Sequence, residues 1–238
     1  MRAPIQEYGE VEALGCLPEQ GLQPSNSRAY EIITTIYGRV LAAALLVGLS
    51  PLWLAIALVI KLTSAGPVLF RAPVVGLNGR VFEYYKFRTM YVGGDDTEHV
   101  SWIEAFVRGD RPFTRGANGV PVYKVIDDPR VTWAGRWLRR SSLDEIPQLL
   151  NVLRGEMNIV GPRPPVPYEY GLYGPNERRR LAVKPGITGL YQVRKRGRAS
   201  FSEMLGLDLE YIRRRSLWFD LQLLARTPWV VLTTGGVA

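Results

Sequence analysis

Apolar residues crowd into one stretch of this chain before any periodic pattern begins. From Val40 to Ile60 the sequence reads VLAAALLVGLSPLWLAIALVI, 21 residues without a charge. A straight helix of that length would run roughly 32 Å, enough to cross a hydrocarbon core. Ser50-Pro51 sits at its centre. Proline removes one backbone N–H and presses its ring against the carbonyl of Val47. It also biases Ser50 away from helical geometry, while the Ser50 hydroxyl is a local donor for the freed carbonyls. Two outcomes follow: a kinked helix that spans, or a helical hairpin that enters, breaks at Ser50-Pro51 and leaves on the same side. Taken alone, the segment favours the spanning helix, because proline kinks are common in membrane spans. The helix begins earlier, with Ser27 as N-cap and Ile32, Ile33, Ile36 and Tyr37 at helical spacing. Arg39 and Lys61 bracket the run, and the basic residues after Lys61 put the downstream body on the cytoplasmic side.

Past Lys61 the pattern changes period. Gly66-Pro67 marks a turn, VLFRAPVV reads as a strand, and Pro73 within it demands an edge or a bulge. Asn78-Gly79 is a hairpin signal. The next strand, Val81 to Thr89, alternates so that Phe82, Tyr84, Lys86 and Arg88 share one face. Two cations on one strand face suit a phosphate, although such a face is more often merely solvated. Residues 91–120, rich in Gly, Asp and Arg around a short helix near Glu98 to Val107, look like a variable insertion or lid. Leu143, Ile146, Leu149, Leu150 and Leu153 then recur at helical spacing. Ser142 with Glu145 three residues on predicts a capping box, with Pro147 in the first turn. That places Asp144 and Glu145 at a helix N-terminus, where acids usually serve only as caps. Their neighbourhood is unusual: Arg136, Arg139 and Arg140 precede them, and Arg163 follows in a GPRPP loop stiff enough to present a guanidinium fork to phosphate. Farther on, KPGITGLYQV reads as a glycine-punctuated loop. The stretch LDLEYIRRRSLWFDLQLLARTPWVVL reads as one or two interfacial amphipathic helices.

Composition narrows the chemistry. The net charge is +8; residues 1–40 carry five Glu against three Arg, which leaves +10 on residues 41–238. Such a body suits anionic lipid, nucleic acid or phosphorylated substrates. The single Cys16 excludes an internal disulfide and any cysteine-based zinc cluster, and the single His99 excludes a multi-histidine metal site. A Ser-His-Asp triad would have only His99 to use. Carboxylates, Lys, Arg, Tyr and Ser remain. The apolar run is too long and too late for a signal peptide, and residues 1–27 read as a mobile tail.

Taken in order, these motifs resemble the monotopic bacterial phosphoglycosyl transferases, a bacterial sugar transferase family that starts glycan assembly on polyprenyl phosphate. The resemblance covers about residues 30–235. It rests on Ser50-Pro51 in the apolar run, VGLNGRVFEYYKFRTM, DDPRVTWAGRWLRRSSLDEIPQLLNVLRGEMNIVGPRP, VKPGITGLYQV and SLWFDLQLL. It is specific to the family and not to a sugar. It implies an α+β fold: a re-entrant membrane helix-hairpin over 28–62, broken at Ser50 and Pro51, and a membrane-associated, mostly helical catalytic domain over 63–238. That domain would carry a short β-hairpin and interfacial amphipathic helices. The implied location is the cytoplasmic face of the bacterial inner membrane, among inner-leaflet phospholipid. The hairpin thus reverses the preference drawn from the segment alone. The implied reaction moves a hexose 1-phosphate from a UDP-sugar to undecaprenyl phosphate and releases UMP, with magnesium (Mg2+) as cofactor. By position, Asp144 is the nucleophile that becomes an aspartyl phosphosugar, and Glu145 helps hold the metal or handles a proton. Arg163 clamps phosphate, and Lys86, Arg88, Arg139 and Gln192 match further substrate-binding positions.

The chain departs from the family in two places. After Gln192 it reads QVRKRGR where QVNGR or QVSGR is usual, and before the apolar run it reads SRAYEII, with Glu31 in the acid position. The sugar, the glycan pathway (capsule, exopolysaccharide or O-antigen) and a homo-oligomer are left open. A non-catalytic membrane-anchored scaffold is the competing reading, and the intact Asp144, Glu145 and Arg163 weigh against it. A nucleic-acid partner is not expected, because RKRGR lacks interleaved aromatics.

Overall fold

The computed structural model describes residues 28–93, 97–110, 114–115, 121–122 and 128–233. The expected tail, Cys16 and much of the 91–120 insertion lie outside those residues. The apolar run forms two helices, α1 (Arg28–Gly48) and α2 (Ser50–Thr63), that meet at Leu49. Pro51 stands in the first turn of α2, where its missing N–H is cheap. The Ser50 hydroxyl donates to the Val47 carbonyl at 2.7 Å, the satisfaction that the break requires. Of the described helices, α1 is the one long and apolar enough to cross a membrane by length and composition.

Both helices pack on one body. Tyr30, in the first turn of α1, donates to the Asp220 carboxylate at 2.7 Å, and Arg215 pairs with Glu31 at 2.6 Å. Ala42 is fully buried among Leu149, Val152 and Ile159. On α2, Ile56 and Ile60 bury against Phe87 and Leu138. The opposite faces are bare: Val40 is 65% exposed, Val47 75%, Leu54 73% and Leu62 77%. An apolar surface of that extent marks a membrane or protein contact.

Among the described residues the body mixes helix with three two-stranded sheets. Strands β1 (Leu69–Val75) and β2 (Val81–Phe87) form the predicted antiparallel hairpin, joined by a turn in which Asn78 and Gly79 both take positive φ. Pro73 is tolerated because each strand of a two-stranded sheet keeps an open edge. The predicted second strand runs two residues too far: β2 stops at Phe87, before Arg88 and Thr89. Helix α3 (Thr97–Arg108) lies in the insertion, followed by the short pair β3 (Thr114–Arg115) and β4 (Pro121–Val122). Helix α4 (Trp133–Ser141) is capped by Thr132, which accepts from the Gly135 amide at 2.9 Å.

The segment after α4 corrects the sequence reading. A single helix from Ser142 was expected; instead Leu143–Gln148 is a 3-10 turn, and α5 is only Leu149–Arg154. Ser142 is no capping-box residue. It takes φ 55 and makes no side-chain cap bond. Pro147 sits inside the 3-10 turn. Leu143 and Ile146 are only half-buried, while Asp144, Gln148, Asn151 and Val152 point inward.

KPGITGLYQV is more than a loop. Gly186–Thr188 is a strand, β6, paired in parallel with β5 (Asn158–Val160), and α8 (Leu190–Arg194) follows it. Between the two strands lie the short helices α6 (Pro167–Gly171) and α7 (Pro175–Arg178). The crossing of GPRPP and KPGITG is tight enough to demand glycine. A Cβ on Gly186 would lie 2.0 Å from the Gly161 nitrogen, and one on Gly189 would lie 2.3 Å from the Gly161 oxygen. The two helices expected at the end are α9 (Phe201–Arg214), with a true capping box at Ser200 and Glu203, and α10 (Leu217–Thr233). Trp133 and Trp137 on α4 and Trp218 and Trp229 on α10 are exposed, as interfacial aromatics would be.

Gly186→Ala should therefore lower stability by about 3 kcal/mol, because backbone rather than a flexible side chain blocks the new methyl. Gly171→Ala, whose methyl would meet nothing within 4 Å, should be neutral or stabilising. Chemical denaturation of the two variants in detergent checks this, and equal stabilities would show that the crossing can relax.

Candidate active site

Lys86 reaches the site because β2 alternates and its even positions face the 3-10 turn. Its ammonium lies 2.7 Å from Glu145 Oε1 and 3.6 Å from Asp144 Oδ2. Behind it, the Tyr84 ring lies 5.4 Å from Nζ, and Gln148 Nε2 donates to the Tyr84 hydroxyl at 2.7 Å. Burial by itself would lower the Lys86 pKa. Glu145, Tyr84 and Asp144 outweigh it and hold the ammonium above the ordinary lysine range. Tyr84 is pushed up to about 12, chiefly by burial, and stays a neutral phenol. Asp144 is 7% exposed. The turn is tied to itself as well, since the Glu145 amide donates to the Ser142 carbonyl at 3.2 Å.

Arg139 approaches from α4. A Cβ on Gly135 would fall 2.0 Å from the Thr89 oxygen, so only glycine lets α4 lie against the segment after β2. Arg139 Nε then donates to Thr89 Oγ1 at 2.9 Å. Burial lowers the Arg139 pKa, with Asp144 and Asp128 opposing that effect. Arg163 is exposed on the GPRPP loop, and its charge is felt by Glu169, Tyr84, Tyr191 and Glu145. Gln192, on α8, packs beside Gly189, and its buried Oε1 accepts no hydrogen bond among the described residues. Asp144, Glu145, Lys86, Arg139 and Arg163 thus converge, with Gln192 adjoining the loop that carries Arg163.

Arg88 does not join them. Its strand has ended, and its guanidinium turns to the exit of α2, where Nη2 donates to the Ser64 carbonyl at 2.7 Å and to the Ser64 hydroxyl at 2.8 Å. The expected pair of cations on one strand face is therefore split, and Arg88 fastens α2 to the body.

Sequence reasoning missed the groups that hold the site. Asn151, fully buried, accepts from the Tyr85 amide at 3.3 Å and donates to the Glu83 carbonyl at 2.6 Å, acting as a strand partner for the open edge of β2. Arg180, 1% exposed, pairs with Asp208 at 2.6 Å and donates to the Tyr173 hydroxyl and to the Arg163 carbonyl. It fixes the backbone that presents Arg163. A signal existed for Asp208: it falls in the apolar register of α9 with Phe201, Met204, Leu205, Tyr211 and Ile212. Arg180 gave none, since RRR reads as a solvated run.

Among the described residues no cluster of three or more His, Cys, Asp or Glu side chains could hold a metal. Asp144 and Glu145 do offer adjacent carboxylates. That donor set fits magnesium, which typically takes one or two carboxylates and completes its shell with water and substrate phosphate.

A family described as bacterial sugar transferase matches residues 29–234. The chain belongs to that family. This bears out the resemblance drawn from the motifs. The exopolysaccharide production protein ExoY of Sinorhizobium fredii is 35% identical over 231 residues, covering 97% of this chain and 92% of ExoY. The galactosyl transferase CpsE of Streptococcus agalactiae is 40% identical over 172 residues, 72% of this chain and 36% of CpsE. A UDP-glucose:undecaprenyl-phosphate glucose-1-phosphate transferase of Xanthomonas campestris is 37% identical over 233 residues, 93% of this chain and 44% of that protein. The chain thus spans nearly all of ExoY but less than half the length of the other two.

The Arg180–Asp208 pair gives this site a stability test. Arg180→Met leaves a buried carboxylate unpaired and should cost about 3–5 kcal/mol, whereas Arg180→Met with Asp208→Leu should recover most of the loss. Denaturant midpoints of the single and double variants measure it. A double variant as unstable as the single one would mean that the bonds to Tyr173 and Arg163, not the charge pair, carry the stability.

Proposed function

We propose that this protein transfers a sugar 1-phosphate from a UDP-sugar to undecaprenyl phosphate, releasing UMP, in the first membrane step of a surface glycan. The observation that carries the reading is the pair Asp144 and Glu145, set on one tight turn and gripped by Lys86 with Arg139 and Arg163 around them. The relatives' names support the substrate classes, and they name both galactose and glucose chemistry.

In the first step an Asp144 oxygen attacks the β-phosphorus of the donor. The bond from that phosphorus to the bridging oxygen breaks, its electrons leave with UMP, and an aspartyl phosphosugar forms. In the second step a phosphate oxygen of undecaprenyl phosphate attacks the same phosphorus, and the Asp144 carboxylate departs. A carboxylate nucleophile needs no histidine. Lys86 holds Asp144 and Glu145 close, Arg163 grips donor phosphate, and Arg139 adds positive potential beside Asp144. Magnesium on Asp144 and Glu145 would supply the charge neutralisation that lets a carboxylate approach a diphosphate. The anchor is re-entrant in this reading, so that α1 and α2 dip into the inner leaflet and return. Its support is that the start of α1 and the end of α2 both pack on the same body.

Asp144→Asn should cut UMP release on the order of a thousandfold while the fold persists, because an amide is a poor nucleophile. Wild type given donor alone should gain a sugar phosphate on the peptide containing Asp144. Near-normal release by a folded Asp144→Asn variant would sink the covalent step.

Chelation should stop turnover, and added magnesium should restore it. Arg163→Lys should lose roughly tenfold to a hundredfold although the charge is kept, because an ammonium cannot reproduce a two-pronged contact. Full activity in Arg163→Lys would make the arginine a tie for its own loop.

Cys16 tests the anchor. A membrane-impermeant maleimide added to spheroplasts should leave this sole thiol unlabelled until lysis, and Pro51→Leu should raise labelling before lysis. Wild-type labelling before lysis would show a spanning helix.

A further inference from the structure

The basic run Arg194 to Arg198 has no role in the mechanism above, yet one of its members is built into the site. Arg196 follows α8 in a left-handed conformation, φ 30, which costs a side-chain-bearing residue strain and persists only where its surroundings hold it. Its guanidinium makes contacts in two directions. Nη1 donates to the carbonyls of Val230 and Val231, both at 3.0 Å. Nη2 donates to the Arg140 carbonyl at 3.3 Å and to the Ser142 hydroxyl at 2.8 Å.

These acceptors share a character. Val230 and Val231 lie in the last turn of α10, and Arg140 lies in the last turn of α4. All of them lie toward the negative end of a helix dipole. One guanidinium therefore bonds carbonyls near the ends of two helices at once, which a single ammonium cannot span. Ser142 links this clamp to the chemistry. It takes φ 55, its hydroxyl accepts from Arg196, and its carbonyl accepts the amide of Glu145. The charge of Arg196 is also felt at Glu145 and Asp144.

We infer that Arg196 is a positioning residue that couples the acid turn to the end of α10, so that the placement of Asp144 depends on how that Trp-bearing helix is seated. The catalytic consequence rests on the function proposed above; the mechanical link does not. An exposed Arg of the same run, Arg194, pairs with Glu210 on α9 and reaches neither helix end, so it serves as the control.

The test uses the full chain in lipid nanodiscs, with hydrogen exchange and steady-state kinetics on each variant. Arg196→Ala should speed exchange in both 142–148 and 228–233. It should lower kcat by about a hundredfold, the scale of an ångström misplacement, with the donor KM held within about twofold. Arg194→Ala should change none of these. Ser142→Ala cuts one arm only, and should loosen 142–148 while leaving 228–233 protected. Arg196→Lys should fall between wild type and Arg196→Ala, and it replaces Arg196→Ala should that variant fail to fold. Unchanged exchange at 142–148 in both Arg196 variants overturns the coupling. A raised donor KM with unchanged exchange would make Arg196 a substrate contact instead. A wild type that releases no UMP with any UDP-sugar would sink the proposed function, while the exchange data would still judge the clamp.

Discussion

Asp144 and Glu145 stand side by side on one tight turn, and two adjacent carboxylates repel. Unit charges about 4 Å apart near a protein surface interact by about 4 kcal/mol. Lys86 offsets that repulsion. Its ammonium lies 2.7 Å from one carboxylate and 3.6 Å from the other, with the neutral Tyr84 ring behind it. Everything else in the site serves to keep β2 and the 3-10 turn at that spacing. Asn151 binds the open edge of β2 to α5, Gln148 locks Tyr84, and Gly135 lets α4 come down beside Thr89.

A second layer of buried charge holds the Arg163 loop. Arg163 points outward, so its backbone must be fixed from within, and Arg180 does this from a site almost without solvent. Buried ion pairs rarely add stability over apolar residues of the same size. Their retention here fits a positional role, since a methionine could fill the space of Arg180 but could not hold the Arg163 carbonyl. The same logic applies to the glycines at 161, 186 and 189, where strand and loop backbones cross too closely for any side chain.

The apolar surfaces follow a different economy. Helices α1 and α2 each bury one stripe on the body and leave the other bare, and the exposed tryptophans of α4 and α10 belong to the same design. The anchor is thereby fastened to the catalytic body at both ends, through Tyr30 and Asp220 at one and through Arg88 and Ser64 at the other. A body held this way keeps the carboxylate turn at a set distance from the two apolar helices.

Local rules made much of this legible in the chain. Proline at the centre of an apolar run dictates a break and a hydroxyl to heal it, and both are present at Ser50-Pro51. Asn-Gly dictates the hairpin turn, in which Asn78 and Gly79 both take positive φ. These are interactions between neighbours, so spacing alone reveals them. Four features were decided only by tertiary structure. Arg88 left the face of Lys86 because β2 ended one residue before it. Ser142 became the left-handed C-cap of α4 rather than an N-cap because α4 ends there and the chain must turn. KPGITG became a strand because Gly161 lies against it. Arg180 left the solvent for a buried post and Arg196 for a half-buried one, because distant carbonyls and an acid on α9 receive them. A charge run looks the same in sequence whether its guanidiniums meet water or another helix's end; only the assembled fold supplies the partner.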